Sequence, residues 1–157
     1  MTHTIEKVRK FHVKFGHPVA LQVTLGTKEL RSLRVKLIAE ELVELCQALG
    51  VNLVAEYKVG IVSSVYVQPV FKDEEVDCVE AADALGDLDY VVQGANLVFG
   101  FPSEAILDEI QESNMSKLGE DGNPIYREDG KIMKGPNYFK PNIAKVLATS
   151  AGVVKDN

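Results

Sequence analysis

The chain of 157 residues has no Trp, only two Cys, and aromatic residues at 7% of its length. It also lacks a basic excess. Seventeen Lys and Arg stand against 23 Asp and Glu, for a formal net charge of −6. A general nucleic-acid binder needs a cationic face that displaces counterions from phosphate, and this composition argues against one. A phosphorylated substrate stays open, because a divalent cation inverts the sign of an acidic site. No apolar run reaches membrane-span length, and the opening MTHTIEKVRKFHVKFG holds none of signal-peptide length. No membrane partner is therefore expected, and the cytoplasm is the expected setting. Cys46 and Cys78 each fall in a predicted helix and lack Cys-x-x-Cys spacing. They read as two reduced, buried thiols rather than a disulfide or metal ligands.

What is present suits one globular domain spanning residues 1–157, with 46% apolar and 25% charged residues. Spacing predicts a short helix over residues 4–15, ended by Gly16 and Pro18. The segment TKELRSLRVKLIAEELVELCQALG repeats Leu30, Leu33, Leu37, Ile38, Leu42, Leu45 and Leu49 at helical intervals. Thr27 can cap that helix and Gly50 can end it. The β-branched residues and tyrosines of AEYKVGIVSSVYVQPVF then predict a β-like insertion at about 57–70. Its turn is expected near Ser63 and Ser64, with Pro69 at an edge position. Helical spacing returns from about Asp73 to Phe99. A further helix runs from Pro102 to about Leu118. A Gly-rich C-terminal loop follows, with Asp129-Gly130 as a hairpin turn. A last short helix covers Asn142 to Ala148, and the final residues are expected to fray. The expected fold is mostly α, a four- to five-helix bundle.

Residues 36–45, KLIAEELVEL, place Glu41 and Glu44 beside an apolar stripe rather than opposite it, with Glu40 slightly further round. The residues four positions beyond these acids are Glu44, Leu45 and Ala48, so no lysine balances them there. A second helix repeats the pattern. Glu80, Asp83 and Asp87 fall at i, i+3 and i+7, within about 60° of arc. If the two helices pack antiparallel, the two acidic sets meet. Converging carboxylates without a compensating cation suit hard divalent ions such as Mg²⁺ or Mn²⁺. The alternative is a solvated acidic face.

The ordered set formed by Glu40-Glu41-Leu-Val-Glu44, EAADALGDLDYVVQGA and ESNMSKLGEDGNPIYREDGKIMKGPNYFKPNI resembles the MazG-like all-α nucleoside triphosphate pyrophosphatases. FHVKFGHP at the amino end is similar to that branch as well. The superfamily also holds phosphoribosyl-ATP pyrophosphohydrolase and the dimeric dUTPases. The resemblance covers most of the chain except residues 51 to 74 and the last dozen. It implies hydrolysis of a (deoxy)nucleoside triphosphate to the monophosphate and pyrophosphate, in sanitation or shaping of a nucleotide pool. It further implies Mg²⁺ or Mn²⁺, two or more ions per site, held by Glu40, Glu41, Glu44, Asp83 and Asp87. Glu41 is the candidate base, or a direct ligand. The family pattern on the second helix is Glu-x-x-Asp, and two placements compete. Glu80–Asp83 fits the spacing, while alignment through Tyr90 puts Asp87 at the aspartate and Ala84 at the glutamate. Asp83 and Asp87 are preferred, with Glu80 in reserve.

By the same resemblance Asn114 and Lys117 contact phosphates or order the metals, and Lys131, Lys134 and Tyr138 lie on a loop that closes over the triphosphate. His12 and Phe15 contact the base. Each has an ordinary alternative: a helix C-terminus, surface charges, and the i,i+4 packing of Phe11 with Phe15. Arg34 is given no role. The resemblance implies a dimer or dimer of dimers, and the apolar surface of two long helices also points to a homo-oligomer, a tetramer. Some phage relatives act on dGTP, which would place the protein in a host cytoplasm. Two readings compete: a phosphoribosyl-ATP or dUTP pyrophosphatase, and a non-catalytic acidic helical interaction protein.

Overall fold

The computed structural model describes residues 4–70 and 76–151. In chain order these form α1 Thr4–Phe15, α2 Lys28–Ala48, β1 Val51–Lys58, β2 Ile61–Pro69, α3 Cys78–Phe99, α4 Ser103–Met115 and α5 Ile143–Ala151. The fold is mostly α with one β-hairpin insertion, the expected class. Among the described residues no helix is long and apolar enough to cross a membrane. The chain divides into two compact units, Met1–Val19 with Leu25–Val98, and Ala20–Thr24 with Phe99–Asn157.

In the first unit, α1 ends at Gly16, which takes φ 73°. The Thr27 hydroxyl oxygen accepts from the Leu30 N–H at 3.2 Å, opening α2 with a side-chain cap. Loss of such a cap costs about 1 kcal/mol. Gly50, at φ 63°, lets the chain leave the helix and enter β1. The hairpin is longer than expected. Its ladder starts at Val51, paired with Pro69, and closes at Lys58 paired with Ile61. The turn is not at Ser63 and Ser64 but at Val59 and Gly60, at φ 53° and 76°. Two successive left-handed residues match the right-handed twist of the strands, which a two-residue loop requires. The serines instead serve Glu56, with the Ser64 hydroxyl donating to Glu56 Oε2 at 2.7 Å and the Ser63 hydroxyl to the Glu56 carbonyl at 3.2 Å. These bonds sit beside a register shift between Glu56 and Tyr57.

The expected start of the next helix at Asp73 lies outside the described residues. Asp77 caps α3, its Oδ1 accepting from the Val79 and Glu80 N–H groups at 2.8 and 3.2 Å. Cys78 opens the helix and is exposed, so only Cys46 fits the expectation of a buried thiol. The buried apolar residues of this unit are Val8, Cys46, Ala81, Ala84, Ala95, Leu97 and Val98. Three are alanines on α3, where small side chains let neighbouring helices approach. Helices α2 and α3 run antiparallel. The Asp77 N–H donates to the Ala48 carbonyl at 3.1 Å, and Gly94, far along α3, faces Arg34, early in α2.

In the second unit, the Thr24 N–H donates to the Phe99 carbonyl at 2.9 Å. Helix α4 stops at Met115 rather than Leu118. Its end tightens into i→i+3 turns, with the Lys117 N–H on the Asn114 carbonyl and the Leu118 N–H on the Met115 carbonyl, both at 3.2 Å. The Gly135 N–H donates to the Lys117 carbonyl at 2.9 Å. A Cβ at Gly135 would stand 2.0 Å from the Leu118 carbonyl oxygen, so only glycine allows this approach. The Ser113 hydroxyl adds a bond to the Phe139 carbonyl at 2.8 Å. Asp129-Gly130 makes the expected turn, with the Arg127 N–H on the Lys131 carbonyl at 2.8 Å and a bridge between Tyr126 and Ile132. The Asn142 side chain caps α5 by accepting from the Lys145 N–H at 3.0 Å. The last residues, expected to fray, lie outside the described residues.

Candidate functional site

The antiparallel pairing of α2 and α3 brings the two acidic sets within electrostatic reach of each other. Glu41 is at the centre. Burial pushes its carboxyl pKa above the ordinary value, and the charges of Glu44, Asp87, Glu40 and Asp83 push it further. Its Oε2 is buried and meets no hydrogen-bond partner. An orphaned buried carboxylate oxygen is costly, and here four like charges surround it. Glu44, Glu80 and Asp83 line a cavity of about 460 Å³ together with Gln47, Ala48, Asp77 and Ala84. Glu80, which fits the family spacing with Asp83 but is held in reserve by the alignment through Tyr90, thus shares a cavity with Glu44 and Asp83.

Two features differ from the expectation of an unbalanced, converging cluster. Lys36 Nζ pairs with Glu40 Oε1 at 3.3 Å, from the position four residues before that acid rather than four after it. Both side chains are largely exposed, so this pair screens Glu40 more than Glu41. Nor do the carboxylates form a closed ligand sphere. Among the described residues, no three His, Cys, Asp or Glu side chains are grouped so as to hold a metal ion. The donor set itself, all hard carboxylate oxygens around one orphaned oxygen, fits Mg²⁺ or Mn²⁺.

The other predicted positions fall into two groups. In the first unit His12 is 3% exposed, its Nδ1 3.0 Å from the Pro18 carbonyl oxygen. It is a fixed interior side chain, not a free surface one. Phe15 is exposed and stacks on Phe11 with centroids 4.3 Å apart; Phe11 also stacks on His17 and meets the Tyr90 ring edge-on at 5.8 Å. In the second unit the Lys117 ammonium donates to Asn114 Oδ1 at 2.7 Å. The Lys134 ammonium lies 4.3 Å over the Tyr138 ring, and the exposed Lys131 has its backbone N–H held by Asp129 Oδ1 at 3.1 Å.

Arg34 was missed. It is 5% exposed, and its Nε is buried without a partner. The signal was its position at i−7 from Glu41, which puts the two on one helical face.

A sequence model of a family described as phosphoribosyl-ATP pyrophosphohydrolase matches residues 8–114. That span takes in most of α1, all of α2, the hairpin and α3, and all but the last residue of α4. A search of curated proteins finds no match. Among solved structures, the chain is similar to a crystal structure from Exiguobacterium sp. 255-15 whose protein is assigned as an NTP pyrophosphohydrolase. The two are 26% identical with a TM-score of 0.43, over 95% of this chain and 94% of that one.

Proposed function

The chain belongs to the phosphoribosyl-ATP pyrophosphohydrolase family, within the MazG-like all-α pyrophosphohydrolases, and from that premise we propose that it cleaves a (deoxy)nucleoside triphosphate to the monophosphate and pyrophosphate. The observation that supports this most is Glu41, whose unpartnered buried oxygen sits in the field of four other carboxylates. On this reading Glu40, Glu41, Glu44, Asp83 and Asp87 hold Mg²⁺ or Mn²⁺, which when bound neutralises triphosphate charge and makes water easier to deprotonate. Glu41 takes the proton from the attacking water. A carboxylate is a residue type suited to taking that proton.

His12 and Phe15 carry over from the resemblance as base contacts. Asn114, Lys117, Lys131, Lys134 and Tyr138 carry over as phosphate contacts. We also propose a homo-oligomer in the cytoplasm. Large apolar side chains such as Val35 and Val43 on α2 and Leu85 and Val92 on α3 are exposed, which is apolar area a second copy can cover. A second reading, phosphoribosyl-ATP as substrate, is favoured by the description of the matching family. The test is pyrophosphate release with Mg²⁺ across the eight common nucleoside and deoxynucleoside triphosphates and phosphoribosyl-ATP. Release from one or more of the eight is expected. Turnover confined to phosphoribosyl-ATP selects the second reading, and no release from any compound overturns both.

A further inference from the structure

Apart from the carboxylates, the first unit holds a second buried polar cluster. His12 on α1, Arg34 on α2 and Gly94 on α3 meet at one point. A Cβ built on Gly94 would stand 3.1 Å from His12 Nε2 and 3.5 Å from Arg34 Nη1. The missing side chain leaves a small cradle with an imidazole nitrogen and a guanidinium at its wall. Arg34 is buried, enters no ion pair among the described residues, and has a buried Nε without an acceptor. A guanidinium keeps its charge in such a place and can only donate, and Nη1 is the donor that faces Gly94. His12 is the opposite. Its Nδ1 faces the Pro18 carbonyl, which can only accept, so Nδ1 carries the hydrogen. The ring pKa is lowered, by burial first and then by the Arg34 and His17 charges, against the Pro18 bond. The neutral ring leaves Nε2 as an acceptor directed at the cradle.

Guanidinium donors beside one imidazole acceptor complement a carbonyl beside a ring N–H. Guanine, hypoxanthine, uracil and thymine carry that edge. Adenine and cytosine carry the reverse, an amino donor beside a bare ring nitrogen, which would set donor against donor at Arg34. The surroundings suit a flat ring, since Phe11 and Phe15 form an exposed stack next to His12. Arg34 and Glu41 share one face of α2 and lie about 10 Å apart along its axis. That is a separation of the kind between a nucleotide's phosphates and the outer edge of its base.

We infer that Arg34 and His12 form a base-reading site that admits nucleotides with a carbonyl beside a ring N–H and rejects those with an amino group beside a bare ring nitrogen. The inference rests on the pyrophosphohydrolase reading. It is tested on the full chain with Mg²⁺ by comparing kcat/KM for ITP against ATP and for UTP against CTP, pairs that differ only at this edge. The oxo member of each pair is expected to win by about 100-fold, because a mismatched base leaves buried polar groups unpaired. In Arg34→Met the members of each pair should come within about threefold of each other, with Arg34→Lys restoring part of the preference. Gly94→Ala, which fills the cradle with a methyl group, should reduce the preference too, and guards against a misfolded Arg34 variant. Equal turnover in the wild type, or an undiminished preference in both Arg34→Met and Gly94→Ala, overturns the inference. Failure of the pyrophosphohydrolase reading looks different: no nucleotide is cleaved. Equilibrium binding of IMP against AMP then decides, with IMP preferred if the site exists and equal or undetectable binding if it does not.

Discussion

At one end of the buried face of α2 stands a carboxylate, Glu41, and two turns earlier stands a guanidinium, Arg34. Each has a buried polar atom with no partner, and neither neutralises the other. Their neighbourhoods differ. Glu41 sits among Glu40, Glu44, Asp83 and Asp87, all of its own sign. Arg34 sits beside His12, whose pKa is lowered, and a glycine. On the proposed reading the five carboxylates, which come together only in electrostatic reach of Glu41, suit multivalent cations, and the guanidinium suits a single acceptor group. The proposed substrate, with a polyanion at one end and a carbonyl-bearing ring at the other, would meet both.

The largest effect that can break this comparison is at the acidic end. Glu41→Gln keeps size and shape but removes the base, and the rate of pyrophosphate release with Mg²⁺ should fall roughly 10²–10⁴-fold. A loss under about tenfold would move the chemistry elsewhere.

The basic end is sharpened by pH. His12 has a lowered pKa in the folded protein, so below its ordinary value of 6.5 the unfolded chain takes up a proton that the folded one refuses. Stability should therefore decline as pH falls through 6.5 and level off below the folded pKa. His12→Asn should lack that component. Urea midpoints of wild type and variant at pH 7.5 and pH 5 check it, and a gap that does not change with pH would contradict it.

The smallest effect is expected between the two ends. Lys36 lies between Arg34 and Glu41 in sequence, but its pair with Glu40 is exposed. Lys36→Ala should change stability by no more than about 0.5 kcal/mol and leave turnover nearly unchanged. A large loss of turnover would mean that this lysine, and not only metal ions, balances the acids.

Much of this arrangement was legible in the residues. Thr27 and Gly50 bracket α2 because a hydroxyl cap and a left-handed glycine are local signals, and the acids announced themselves by repeating on two helices. The hairpin was harder. Lys58-Val59-Gly60-Ile61 hides its turn behind Val59, a β-branched residue that avoids positive φ, while the serines nearby imitate one. The partner of Glu40 lies four residues before it, the weaker order for a helical pair, which favours the acid ahead of the base. Burial of Arg34 was not legible at all from its type, since arginine is ordinarily exposed; only its register with Glu41 pointed inward. The role of Cys78 at the exposed start of α3 depended on where Asp77 capped the helix, and several aspartates and glutamates nearby could have done so.

The central claim is that the acids of α2 and α3 hold divalent cations around Glu41. Titrating Mn²⁺ into the protein and following the free ion by electron paramagnetic resonance tests it directly. The wild type should deplete the free-ion signal, and Glu41→Gln should weaken that binding at least about tenfold. A wild-type titration indistinguishable from buffer would contradict the account.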